Sequence, residues 1–219
     1  MTTPAADHSP PAALLLLATG CPHCAAVLAG LLPLIEEGAI GTLEVVNVAV
    51  HPERAQVLGV RTVPWLRLGP FVLEGSHTPA ELRRWAEGAD SLDGMAAYFH
   101  QLLTTGRRAQ VEAMARQQPS RLRALAHLLA DAETSMSVRL GIGAVLEELH
   151  GSGISEALIP DLAGLTQHAD LLTRADACHF LSLIGGKDVI PALTACLDDQ
   201  NGEVREIARE SLDELSGSA

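Results

Sequence analysis

Two patterns of apolar spacing divide the chain. Up to about residue 88, short unbroken apolar runs alternate with stripes of 3–4 spacing; from about residue 95 only the stripes remain. Ala12 to Ala18 is apolar throughout and stops at Thr19-Gly20, which predicts a strand buried on both faces. From Cys21 to about Glu37, apolar residues recur at Val27, Leu28, Leu31, Leu32 and Ile35. That spacing predicts a helix, capped by Gly38 and kinked at Pro33. Leu43 to Val48 is β-branched and predicts a second buried strand. His51-Pro52 opens a short helix that ends near Gly59. Val63–Leu68 and Phe71–Glu74, parted by Gly69-Pro70, predict two further strands. Thr78-Pro79-Ala80-Glu81 has the form of a capping box before another helix. The order is βαβαββα over residues 12–88. A helical crossover makes the first two strands parallel, and a turn makes the last two a hairpin. Residues 1–11, which end in Ser9-Pro10-Pro11, are predicted to fray.

Gly88 to Gly94 reads as the boundary. Beyond it the chain repeats with an offset of 31: Ile159-Pro160 matches Ile190-Pro191, Leu162 matches Leu193, Arg174 matches Arg205, and Ala177 matches Ala208. A looser copy aligns Arg139 with Arg174. Four helix pairs follow: 95–104 with 107–117, 119–131 with 136–149, 155–166 with 170–184, and 188–197 with 202–215. The expected fold is therefore α/β plus all-α, with an α-solenoid over 95–216.

Composition narrows the function classes. With 47% hydrophobic and 19% charged residues the chain can build packed cores, and with 3% aromatics those cores rest on Leu, Ala, Val and Ile. The net charge is −12, from nine acids against five arginines up to residue 90 and eighteen acids against ten bases beyond. Neither part is basic, which disfavours nucleic-acid binding. No apolar run is long enough to span a membrane, and the Ala12–Ala18 run lacks the preceding Lys or Arg of a signal peptide. The expected compartment is the cytosol, where a structural disulfide is disfavoured.

Of the four cysteines, Cys21 and Cys24 form a close pair just after the first predicted strand, at the start of a helix. A helix N-terminus carries unpaired N–H groups and about half a positive charge, so a thiolate there is stabilised. The spacing puts both sulfurs on one side of the helix. Cys21 is the expected nucleophile and Cys24, one turn in, the resolving thiol. No second CxxC or histidine cluster completes a zinc site, and Gly141-Ile142-Gly143 lies in a helical pattern with no strand before it, so no cofactor is expected. Cys178 and Cys196 read as small buried hydrophobes.

Cys21-Pro22-His23-Cys24, together with the stretch from Asn47 to Val63-Pro64, resembles the thioredoxin superfamily over about residues 12–88. The resemblance implies a cis Val63–Pro64 bond beside the cysteines and substrate backbone pairing at Val63. Trp65, which follows, reads first as a packing residue and second as a substrate contact. His23 is expected to partner the Cys21 thiolate, making the disulfide more oxidising. The chain departs from thioredoxins at Gly20, where they carry Trp, and at Leu15, where they carry a buried acid.

Val138-Arg139, Thr173-Arg174-Ala-Asp-Ala177 and Val204-Arg205-Glu-Ile-Ala208, with Pro160 and Pro191 in the first helices, resemble HEAT repeats over about residues 95–216. The resemblance implies that each Arg ties adjacent repeats through an Asp near the turn, here Asp170 and Asp198 or Asp199, and that the stack docks a protein. Glu203, Glu206, Glu210, Asp213 and Glu214 are expected to make the last pair's outer face polar. The leading functional reading is a thiol–disulfide oxidoreductase that acts on proteins. An interaction module with a redox-sensing or scaffolding α/β unit, and a metal or persulfide carrier, stay open. The sequence sets no oligomeric state.

Overall fold

The computed structural model describes residues 9–217, apart from the side chain of residue 217. The fraying expected of residues 1–8 lies outside them; Pro11 is held, its carbonyl accepting the Gly41 N–H at 3.0 Å. The chain forms two compact units, Met1–Met95 and Ala96–Ala219.

The first unit has the order β1 (Ala12–Leu17), α1 (Pro22–Glu36), β2 (Thr42–Asn47), α2 (Pro52–Leu58), β3 (Trp65–Leu68), β4 (Phe71–Glu74) and α3 (Pro79–Glu87). The strands form one mixed sheet in the order β2-β1-β3-β4. β1 and β2 are parallel and β3 and β4 antiparallel, while β1 also pairs antiparallel with β3. Ala13, Leu14, Leu15 and Leu16 of the central strand are all buried, so both its faces are covered. On one face Leu14, Leu16, Val46 and Trp65 cluster, with Ala55 and Leu58 of α2 packed against them. Phe71 meets Trp85 of α3 edge-on at 5.0 Å.

Local chemistry sets the element ends. The Thr78 hydroxyl accepts the Glu81 N–H at 3.3 Å and the Glu81 carboxylate accepts the Thr78 N–H at 2.8 Å, completing the capping box. α1 runs through Pro33, which forgoes a single N–H bond, that to the carbonyl four residues before it, and the helix continues to Glu36. Its buried line is Cys24, Val27, Gly30, Leu31 and Leu34, with Leu32 48% exposed and Ile35 half-buried. The sequence misplaces this stripe by about one position, because apolar residues continue around the helix. Gly88–Gly94 is not an open linker. Ser91 Oγ accepts the Gly94 N–H at 2.9 Å, so Gly94 lies in the first turn of α4 (Leu92–Thr104). A Cβ on Gly94 would run into the Gly88 carbonyl, so the turn closes only around glycine.

The second unit continues with α5 (Arg108–Gln117), α6 (Arg123–Ala130), α7 (Met136–Glu148), α8 (Ile159–Leu165), α9 (Leu171–Ile184), α10 (Ile190–Cys196) and α11 (Gly202–Gly217). Short 3-10 turns precede α6, α8 and α10. Pro160 and Pro191 sit in the first turns of α8 and α10, where their missing N–H costs nothing. Arg174 reaches forward to the next pair, donating to both Asp199 carboxylate oxygens at 2.8 and 3.3 Å and to the His168 and Ala169 carbonyls. Arg139 likewise donates to Asp176 at 2.7 Å. Asp170, expected in that role, instead caps α9 by accepting the Thr173 N–H at 2.8 Å. Among the described residues no helix is long and apolar enough to cross a membrane. Glu203, Glu206, Glu210, Asp213 and Glu214 are exposed.

Candidate active site

The parallel β1–β2 pairing and the antiparallel β1–β3 pairing bring four chain segments to one end of the sheet: the exit of β1, the exit of β2, the entry to β3 and the exit of β4. Leu16 faces Trp65 in the β1–β3 register, so the turn into α1 and the Val63-Pro64 segment leave the sheet at the same edge. Gly20 takes φ +74°, a left-handed conformation that turns the chain from β1 into α1. Asn47 pins this turn from the next strand: its side-chain amide donates to Thr19 Oγ1 at 2.8 Å.

Cys21 is the N-cap of α1. Its Sγ accepts the Cys24 N–H at 3.2 Å, so the sulfur occupies the place of a capping oxygen. Pro22 follows at the first helical position, and the first turn holds no acid to oppose a thiolate. Cys21 is half-buried and Cys24 buried, and both are free thiols. The Cys21 thiol is held below its ordinary range, first by the Cys24 thiol, then by the Cys24 N–H, with a lesser share from the His23 N–H. Cys24 is pushed the other way, first by burial and then by its neighbour Cys21. One environment thus sets the two sulfurs apart: one poised to ionise and reachable, the other protonated and enclosed.

The remaining candidates are less uniform. Pro22 and His23 are exposed. The His23 ring meets Ser76, its Nδ1 lying 3.0 Å from Ser76 Oγ, and at Cys21 it is the backbone N–H of His23 that contributes. The Val63–Pro64 bond is cis and Pro64 is buried, its carbonyl accepting the Gly75 N–H at 2.9 Å. Val63 is half-buried at the border of the Leu14–Leu16 cluster. Trp65 belongs to that cluster and is 7% exposed, so its ring packs in the core, the first of its two expected roles. A bulky ring in a strand facing Leu16 is buried more favourably than presented. Thr19, Asn47 and Ser76 join the site without having been singled out in the sequence. Small polar residues at strand ends are too common to signal a role alone. Among the described residues no group of three or more His, Cys, Asp or Glu side chains is arranged to hold a metal ion.

Residues 122–213 match the family of HEAT repeats, so the second unit carries HEAT-like repeats over most of its length. Neither a curated protein nor a solved structure matches the chain.

Proposed function

We propose that the first unit is a thioredoxin-like thiol–disulfide oxidoreductase and that the HEAT-like repeats dock its protein substrate or partner. The observation that carries the reading is the pairing of a reachable, acidified N-cap thiol, Cys21, with an enclosed, protonated thiol, Cys24, one turn later. The cis Val63–Pro64 bond at the same sheet edge and the βαβαββα order support it. In the reducing direction the Cys21 thiolate attacks one sulfur of a protein disulfide. A mixed disulfide forms and the first substrate thiolate leaves, taking a proton. Cys24, deprotonated, then attacks Cys21 Sγ, closing the Cys21–Cys24 bond and expelling the second substrate thiol. The substrate gains two electrons and the pair loses two; oxidation of a dithiol substrate runs the same steps backwards.

HEAT repeats commonly bind protein partners, so the reading in which the repeats act alone and the α/β unit is a scaffold has support from residues 122–213. The carrier reading has less, since among the described residues no third ligand joins the pair. The cytosol remains the proposed compartment, where free thiols persist. The decisive test is reduction of insulin disulfides by the full chain with dithiothreitol, run beside Cys21→Ser and Cys24→Ser. Wild type should accelerate the reaction, Cys21→Ser should fall to background, and Cys24→Ser should hold a mixed disulfide on Cys21. Wild type at the dithiothreitol background, with no trapped adduct, would leave the scaffold reading standing instead.

A further inference from the structure

A second pair of cysteines lies in the HEAT-like unit, and it is closer than packing requires. Cys178 is in the middle of α9 and Cys196 is the last residue of α10. Their sulfurs are 2.8 Å apart, with Cys178 donating to Cys196, whose own Sγ lies 3.2 Å from the Ala192 carbonyl. Non-bonded heavy atoms settle at about 3.5–4.0 Å, whereas a disulfide bond is about 2.05 Å. The two sulfurs thus stand well inside ordinary contact, and a shift of under about 1 Å separates them from a bond. Both residues are buried, at 0% and 2% exposure. The only covalent path between their helices is the Gly185-Gly186 turn and the short 3-10 turn after it, with both glycines at positive φ.

We infer that Cys178 and Cys196 form a reversible disulfide, a second redox couple that fastens the last helix pair of the stack to the one before it. The inference does not rest on the function proposed for Cys21 and Cys24. Burial selects a small oxidant, and hydrogen peroxide is the class that fits. Cys196 accepts the Cys178 S–H and donates its own to the Ala192 carbonyl, so once Cys196 gives up that proton its thiolate is held by the Cys178 S–H and reacts first. It attacks one peroxide oxygen; the O–O bond breaks and hydroxide leaves as water with the proton that Cys196 gave up. The sulfenic acid on Cys196 is then attacked by Cys178; the S–O bond breaks, the S–S bond forms, and hydroxide leaves with the Cys178 proton as a second water. Two electrons pass to the peroxide, and a dithiol reductant reverses the change. Local opening of the α10–α11 pair admits the oxidant.

The test uses the full chain carrying Cys21→Ser and Cys24→Ser, so its outcome is independent of the first pair. Stoichiometric hydrogen peroxide should remove both remaining thiols together, lower the intact mass by two hydrogens, and link the peptides holding Cys178 and Cys196 until dithiothreitol is added. Closing this short loop should raise the thermal midpoint by roughly 5–10 °C. Adding Cys178→Ala should abolish the rise and let Cys196 take up oxygen instead. The inference fails if both thiols survive peroxide, if oxygen is added without a link, or if Cys178→Ala shows the same rise. The mass and peptide readings stand even if that last variant folds poorly.

Discussion

The Arg174–Asp199 pair is where the coupling between repeats can be measured. Arg174 is 5% exposed and makes four hydrogen bonds: two to Asp199, at 2.8 and 3.3 Å, and two to the His168 and Ala169 carbonyls, at 2.9 and 3.0 Å. Arg174→Met keeps most of the stem and removes the guanidinium. Breaking a fully buried pair by removing one partner costs about 3–5 kcal/mol. Arg174 and Asp199 line a groove on the surface of the unit, so water softens that penalty and about 2–3 kcal/mol is the expected loss. Thermal unfolding of the full chain should then fall by about 5–10 °C. The sign with pH is fixed by Asp199, whose carboxyl Arg174 holds below the usual carboxylate range. Its contribution is complete above the unfolded carboxylate value of about 3.9. It is lost as the pH falls through the lower folded value, and Arg174→Met should flatten that acid limb. Asp199→Asn added to Arg174→Met should recover part of the loss, because no unpaired charge remains. A loss under about 1 kcal/mol, or strict additivity of the two changes, would refute an energetic tie between repeats.

Two further outcomes test the first unit. Cys21 should be alkylated far faster than Cys24 at neutral pH, with a midpoint on the acid side of an ordinary cysteine, since its thiol is lowered while that of Cys24 is raised; His23→Ala should change that rate by less than about threefold, under about 0.7 kcal/mol, because the backbone N–H survives. Mass spectrometry of quenched time points reads both, and a tenfold fall in His23→Ala would restore the ring as the thiolate's partner. Gly30→Ala should destabilise by about 1 kcal/mol in urea, since its Cβ would lie 2.8 Å from Leu82 Cδ1 in a fully buried position and overpacking outweighs the gain in helix propensity; a rise in stability would mean that Leu82 has room to turn.

Where a residue's neighbours in sequence decide its environment, the sequence is readable. The Ala12–Leu17 run can only be a central strand, the Thr78–Glu81 box can only cap, and Cys21 after a strand and before Pro22 can only meet a helix N-terminus. The parallel β1–β2 pairing and the β3–β4 hairpin follow from connection lengths. The repeat offset marks the helix pairs, because a repeated Arg and Ala at fixed spacing reflect a repeated packing geometry. What the sequence hides depends on which distant residue arrives. Trp65 after Pro64 could face in or out until the β1–β3 register puts it opposite Leu16. His23 has an obvious neighbour in Cys21, yet its ring reaches Ser76, 53 positions away. Asp170 and Asp176 are both plausible partners for an arginine, and only the helix cap takes Asp170 out of contention.

The cysteines show the same division most sharply. In sequence, the three-residue spacing of Cys21 and Cys24 announces chemistry, while the wide separation of Cys178 and Cys196 announces nothing and makes small buried hydrophobes the natural reading. In space the contrast changes. The first pair is joined by a backbone N–H to Sγ bond at 3.2 Å, and the second by a direct sulfur–sulfur contact at 2.8 Å. The difference lies in access: Cys21 is half-buried at a helix start, whereas Cys178 and Cys196 are enclosed between two repeats. A reachable thiol at a helix N-terminus suits fast exchange with a protein substrate. An enclosed pair bridging two neighbouring repeats suits slow change in the rigidity of their packing. If both pairs respond to oxidants, they do so at different rates and with different consequences, so time-resolved thiol labelling of the wild-type chain under peroxide should show Cys21 lost in an early phase and Cys178 with Cys196 lost together in a later one.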